Sequence, residues 1–316
     1  MRRVSISPEE LFEKARAGDR RALSRLISCV EDGGNESREA LKSVWKHTGG
    51  ARILGITGPP GAGKSTLTNA LIKHLRAQGH TVGVVAVDPT SPFSGGAILG
   101  DRIRMADAFL DAGVYIRSMG TRGQLGGLSA ACTGAVKVLD ACGFDTIILE
   151  TVGVGQSEVA VARCADVVTV VSVPGLGDDV QAIKAGILEI GDIFVVNKCD
   201  LPGSDRVIME LRMMLDMDAS GEKSNAPVLK VSAGQYLGIP EYAEALDKVF
   251  NEFKEDGALA ARRQQRLQNE MLELLQNEII RRAALPTPGT QEMAEFMEKN
   301  TNPYIWVDDT LANILK

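Results

Sequence analysis

The stretch Gly58-Pro-Pro-Gly-Ala-Gly-Lys-Ser65 decides the fold of this 316-residue chain. It is a complete Gly-x-x-x-x-Gly-Lys-Ser loop. Before it, Arg52-Ile-Leu-Gly-Ile-Thr57 is a bounded apolar run, as a buried strand is. After it, Thr66–Leu75 repeats apolar residues at helical spacing. Strand, glycine-rich loop and helix in that order identify a phosphate-binding Walker A loop. Gly58, Gly61 and Gly63 let the backbone turn its N–H groups inward onto phosphate oxygens. The helix N-terminus adds partial positive charge. Gly58, Pro59, Pro60, Gly61, Ala62, Gly63, Lys64, Ser65 and Thr66 are the expected binders, with Lys64 on the β- and γ-phosphates and the Ser65 hydroxyl on Mg²⁺.

Outward from the loop, strand and helix patterns alternate. Strands are expected at Thr81–Asp88, Val114–Arg117, Thr146–Thr151, Val167–Val173, Ile193–Lys198 and Val228–Ser232. Most are near-continuous apolar runs, the pattern of parallel strands covered on both faces. A helix is expected over Leu128–Ala141. The fold class is α/β: a doubly wound, mostly parallel sheet of the P-loop NTPase kind, with its ligand at the carboxyl ends of the strands. Residues 1–48 read as a helical extension opened by Ser7-Pro-Glu-Glu10, a capping box with proline at the first position. Residues 49–253 form the nucleotide-binding domain. Residues 254–316 are helical again: Gly257–Arg282 is one long helix, Pro286-Thr-Pro-Gly289 breaks it, and shorter helices follow at Gln291–Glu298 and Asp308–Leu315. Leu267, Met271, Leu274 and Leu275 give the long helix an apolar side that packs within the chain or against a second copy.

Bulk composition narrows the partners. Lys and Arg number 35 against 41 Asp and Glu, a net charge of −6, which argues against nucleic acid as the main partner. The five cysteines are scattered, with no Cys-x-x-Cys pair, so a reduced cytoplasmic setting is expected. Arg2 and Arg3 are followed by no apolar core of a secretory signal, and no apolar run reaches membrane-spanning length.

Four further elements follow the order a GTPase requires. Glu150-Thr-Val-Gly153 ends a strand where Asp-x-x-Gly is usual; its carboxylate is expected to hold Mg²⁺ directly or through water, and the Gly153 N–H to reach the γ-phosphate. Asn197-Lys198-Cys199-Asp200 is the expected guanine reader: a buried carboxylate at Asp200 accepts from N1–H and the 2-amino group, donors that adenine lacks there. Ser232-Ala233-Gly234 is the turn that offers a backbone N–H to the guanine O6. The Ser-, Gly- and Pro-rich run from Val87 to Met105 is a candidate switch, in which Asp88 and Asp101 order a water or the metal. A catalytic glutamine would follow the glycine of Asp-x-x-Gly, but Val154 stands there, so slow intrinsic hydrolysis is expected, with a partner supplying acceleration.

These motifs resemble the MeaB/ArgK family. The resemblance rests on Gly-Pro-Pro-Gly-Ala-Gly-Lys-Ser-Thr, Val-Asp-Pro-Thr-Ser-Pro with Gly-Gly-x-Ile-Leu-Gly-Asp-Arg-x-Arg-Met, and Glu-Thr-Val-Gly-Val-Gly-Gln-Ser-Glu. It covers about Leu11 to Glu241; the C-terminal tail matches only in character. It implies a homodimeric, Mg²⁺-dependent GTPase that chaperones an adenosylcobalamin-dependent acyl-CoA mutase, chiefly methylmalonyl-CoA mutase. It would gate cofactor delivery and protect or rescue that mutase. The resemblance also implies that Asp88, Asp101 and Glu150 surround the metal and switches. Gly175–Lys184 matches a third switch, and Lys184 stands at a functional lysine. Two other readings are open on the same fold. A nickel-type metallochaperone needs a Cys/His cluster, and His47, His74 and His80 show no ligand spacing. An amino-acid kinase has no use for a guanine reader.

Overall fold

The computed structural model describes residues 6–88, 108, 110–120, 130–151, 161, 163–175, 187–217, 225–283, 285–286, 289–299 and 301–314. Among them the strands are β1 (Arg52–Thr57), β2 (Val82–Asp88), β3 (Val114–Gly120), β4 (Thr146–Thr151), β5 (Val167–Ser172), β6 (Ile193–Val196) and β7 (Val228–Lys230). The helices are α1 (Pro8–Arg16), α2 (Arg20–Asp32), α3 (Gly34–Val44), α4 (Lys64–Ala77), α5 (Ala130–Ala141), α6 (Ile187–Ile190), α7 (Ser204–Asp216), α8 (Ile239–Glu255), α9 (Ala258–Ala283), α10 (Gln291–Glu298) and α11 (Pro303–Ile314).

The strands form one sheet in the order β3-β2-β4-β1-β5-β6-β7, every neighbouring pair parallel. The alternation of side chains on β1 and β4 divides the core in two. Leu54, Ile56 and Ile148 point toward α4 and α8, joining Leu67, Leu71, Tyr242 and Leu246. Ile147 and Leu149 point the other way, where Leu26, Ile27, Val138 and Leu139 come from α2 and α5. The first helices therefore belong to the sheet's own packing. Ser7 caps α1, its Oγ accepting from Glu10 N at 3.2 Å, with proline in the first turn as the sequence indicates.

The amino-terminal edge of the sheet is pinned by aspartates. Asp145, before β4, accepts from Thr81 N at 2.7 Å and Thr81 Oγ1 at 2.8 Å, just before β2. Asp166, before β5, accepts from Ile53 N of β1 at 3.0 Å, and Asp192, before β6, accepts from Val168 N of β5 at 2.9 Å. Asp140 at the end of α5 takes the N–H groups of Gly49, Gly50 and Ala51 that lead into β1. Burial raises the Asp145 carboxyl, but its bonds from Thr81 outweigh that and hold it below the ordinary 3.8. Asp111, before β3, also lies below 3.8, first through the Arg76 guanidinium and then through Gly113 N.

Several element ends differ from the sequence reading. β6 stops at Val196 and β7 at Lys230: beyond β6 the chain turns through the left-handed Lys198, and beyond β7 Ser232 N pairs with Leu237 O. β3 runs on to Gly120 because all seven of its residues pair with β2. α11 begins at Pro303, where Asn302 Oδ1 accepts from Tyr304 N at 2.9 Å, an Asn-Pro start.

The chain divides into two compact units, Met1–Leu259 and Ala260–Lys316. In the second, Phe296 and Trp306 meet edge to face at 6.1 Å. Along α9, Leu267, Met271, Leu272, Leu274, Leu275 and Ile280 are exposed. No described helix is long and apolar enough to cross a membrane.

Candidate nucleotide site

The carboxyl edge of the sheet gathers the sequence motifs. β1 ends at Thr57, and Gly58 turns the chain with φ +139, so close to β5 that a Cβ there would lie 2.1 Å from Val171 O. Only glycine fits. The loop closes with Gly61 and Gly63 at φ +79 and +83, and α4 starts at Lys64. Lys64 is buried, its ammonium donating to Gly58 O at 2.7 Å and Pro59 O at 3.0 Å, so the charge sits inside the ring of the loop. Ala62 is buried, Pro60 and Gly61 are exposed at the rim, and Thr66 lies exposed in the first turn of α4.

Ser65 Oγ donates to Glu150 Oε1 at 2.5 Å, and both residues are buried. Glu150 reaches α4 because it shares a sheet face with Ile148, opposite Ile56 in the β1–β4 register. A hydroxyl and a carboxylate within bonding distance are a hard-oxygen pair of the kind Mg²⁺ takes. Asp88 closes β2, the strand beside β4, and its backbone pairs with Gly120 at the same edge. Asp101, Gly153 and Lys184 lie outside the described residues.

The second half of the site stands on β6 and β7. Asn197, 2% exposed, ties three segments together. Its Nδ2 donates to Ala62 O at 2.8 Å in the phosphate loop, and its Oδ1 accepts from Ala233 N at 3.1 Å. A Cβ at Gly63 would lie 2.4 Å from that same Nδ2, so the loop approaches this closely only with glycine. Lys198 takes the left-handed conformation, φ 53, and donates to Gly61 O at 3.0 Å. That turn carries Asp200 outward. Its carboxylate is exposed, where the sequence reading expects it buried, and Ser232 Oγ holds one oxygen at 2.5 Å. Ala233 and Gly234 continue into a 3-10 turn. Asn197 and Ser232 thus act on the protein as well as facing the site. Nothing in the linear motifs signals the Asn197–Ala62 bond, which joins residues 135 apart.

A phosphate loop ending β1, a serine–carboxylate pair between α4 and β4, and an Asn-Lys-x-Asp turn after β6 define a P-loop GTPase. The chain matches the family model described as "Methylmalonyl Co-A mutase-associated GTPase MeaB" over residues 23–287, and it belongs to that family. A Pyrococcus horikoshii protein described as a GTPase is 44% identical over 311 residues, covering 97% of this chain and 98% of its own. The mouse "Methylmalonic aciduria type A homolog, mitochondrial" is 36% identical over 312 residues, 92% of this chain and 74% of its own. A crystal structure of an LAO/AO transport system kinase superposes with a TM-score of 0.70 at 25% identity, covering 98% of each chain.

Proposed function

We propose that this GTPase is Mg²⁺-dependent and serves as the chaperone of an adenosylcobalamin-dependent acyl-CoA mutase, methylmalonyl-CoA mutase first among them. In this role it gates cofactor delivery and protects or reactivates the mutase. The observation that carries the nucleotide part is the Asn197 bridge, which locks the phosphate loop and the guanine-reading turn into one frame. Lys64 balances phosphate charge. Ser65 and Glu150, with Asp88 and Asp101, would hold Mg²⁺, which supplies charge neutralisation across the phosphates. Asp200, oriented by Ser232, reads the guanine edge; Lys198 and the Ala233–Gly234 backbone flank the base. Gly153 donates to the γ-phosphate, and Lys184 couples the third switch to the partner. Val154 leaves the attacking water without a glutamine, so hydrolysis alone is slow and the mutase accelerates it.

The partner rests on the family's designation and the mouse relative's name. A cytoplasmic homodimer joined through residues 254–316 suits the exposed Leu267, Met271, Leu274 and Leu275. The test measures GTP turnover by the purified protein, with and without saturating mutase, with Mg²⁺ and after chelation. Mutase-stimulated, Mg²⁺-dependent turnover is expected. Turnover indifferent to the mutase, or phosphate transfer to arginine or ornithine, would sink the chaperone reading.

A further inference from the structure

Two side chains on α4 carry oxygens that the fold does not answer. Thr68 is fully buried, yet its Oγ1 makes no hydrogen bond among the described residues. It does not even turn to the carbonyl one turn back, the usual partner of a helical threonine. Asn69 is half-buried, and its Oδ1 is likewise buried without a hydrogen bond. A buried polar group left unmet costs stability, so each of these needs a reason.

Their place on the helix supplies one. Residues three and four apart share a helix face, so Thr68 and Asn69 stand one turn along α4 from Ser65. Ser65 Oγ meets Glu150, whose strand neighbours are Ile56 and Ala86. Two residues back on β4, Ile148 lies between Leu54 and Val84. Those three join Ile72, a further turn along α4, in one apolar core. On that side, then, the two oxygens face hydrocarbon. Toward the amino end of α4, the direction in which helical side chains lean, they face the Ser65–Glu150 pair.

What these oxygens call for is a donor. Asn69 Oδ1 can only accept, and Thr68 Oγ1 can accept. Mg²⁺ sheds water reluctantly and keeps several waters when held by one or two side chains; those waters turn their hydrogens outward. Cβ atoms at helix positions i and i+4 lie about 5–6 Å apart, a gap that a side-chain oxygen and one water bridge. We infer that Asn69 and Thr68 are positioning residues of the metal site, accepting hydrogen bonds from the water shell of the cation that Ser65 and Glu150 hold. The inference rests on the reading of that pair as the Mg²⁺ site.

The experiment measures Mg²⁺ affinity of the GDP complex by calorimetry, GDP affinity in chelator, and the unfolding temperature of the nucleotide-free protein. The full chain is compared as wild type, Asn69→Leu, Asn69→Asp, Thr68→Val, Thr68→Ser and Ser65→Ala. Loss of an outer partner of a metal site typically costs about 10- to 100-fold in metal affinity, and that loss is expected in Asn69→Leu and in Thr68→Val, with GDP affinity in chelator kept. Asn69→Asp and Thr68→Ser keep an acceptor and should hold Mg²⁺ at least near the wild-type level. Thr68→Val also removes a hydroxyl that the fold does not use, so its unfolding temperature should rise by about 2 °C or more while Mg²⁺ weakens. A packing role would lower both together and overturn the reading of Thr68. Wild-type Mg²⁺ affinity in both apolar variants overturns the inference, as does a loss that Asn69→Asp and Thr68→Ser share. A loss in one apolar variant alone keeps that residue and strikes the other, and if one fails to fold the other decides. Ser65→Ala separates the two layers. Unchanged Mg²⁺ affinity there refutes the metal site and the inference with it. Loss there beside normal Asn69→Leu and Thr68→Val leaves the metal site standing and refutes the inference alone.

Discussion

Replacing Asn197 by alanine should damage the nucleotide site out of proportion to the size of the change. The side chain makes two bonds inside the protein, to Ala62 O at 2.8 Å and from Ala233 N at 3.1 Å, both at buried residues. Asn197→Ala leaves that carbonyl and that N–H without the amide. A buried polar group left unsatisfied costs about 1–3 kcal/mol, so the two together cost about 2–6 kcal/mol. Even the lower figure is about thirtyfold in GDP affinity if binding must restore the frame. In a domain of this size 2 kcal/mol also lowers the unfolding temperature by about 4–8 °C. Asn197→Asp keeps the acceptor for Ala233 N but turns a carboxylate oxygen toward Ala62 O, so it should be no better than alanine. Calorimetry with GDP and thermal unfolding of the three proteins decide the matter. GDP affinity and unfolding temperature at wild-type values in Asn197→Ala would refute the bridge as the frame of the site.

Two further outcomes are expected. Asp200→Asn should weaken GTP and favour xanthosine triphosphate, because the amide donates where xanthine presents a carbonyl; a swing of about 10⁴-fold is of the size such a lost pair gives, and a variant that still prefers GTP removes Asp200 as the reader. Asp111→Asn should show its cost only above the acid range. The folded carboxyl lies below the ordinary 3.8, so its contribution is present above 3.8 and disappears as pH falls through the lower folded value. Unfolding temperatures of wild type and variant should therefore differ at neutral pH and converge below 3.8, and a constant gap would assign the effect to packing.

The sheet was legible because its strands are buried on both faces, and continuous apolar runs such as Thr146–Thr151 and Val167–Ser172 have no other home in a chain this size. The phosphate loop was legible because its glycines, lysine and serine are all local in sequence. The ends of β6 and β7 were not, since the left-handed turn at Lys198 and the Ser232–Leu237 pairing that close them leave no mark in the residue pattern. Nor was the exposure of Asp200, which follows from the left-handed turn at Lys198, a conformation that lysine does not advertise.

The aspartates on the amino-terminal edge have a consequence for how this chain tolerates change. Parallel strands offer evenly spaced bonds, and a slip by one residue would turn every side chain to the wrong layer. Asp145, Asp166 and Asp192 each bond a specific neighbour at the start of the ladder, so alignment is set from one rim. The connections on the opposite rim are thereby released from that duty. Insertions, deletions or wholesale exchange of those connections would leave the alignment beneath them untouched, which makes this scaffold suited to acquiring new specificities without being refolded.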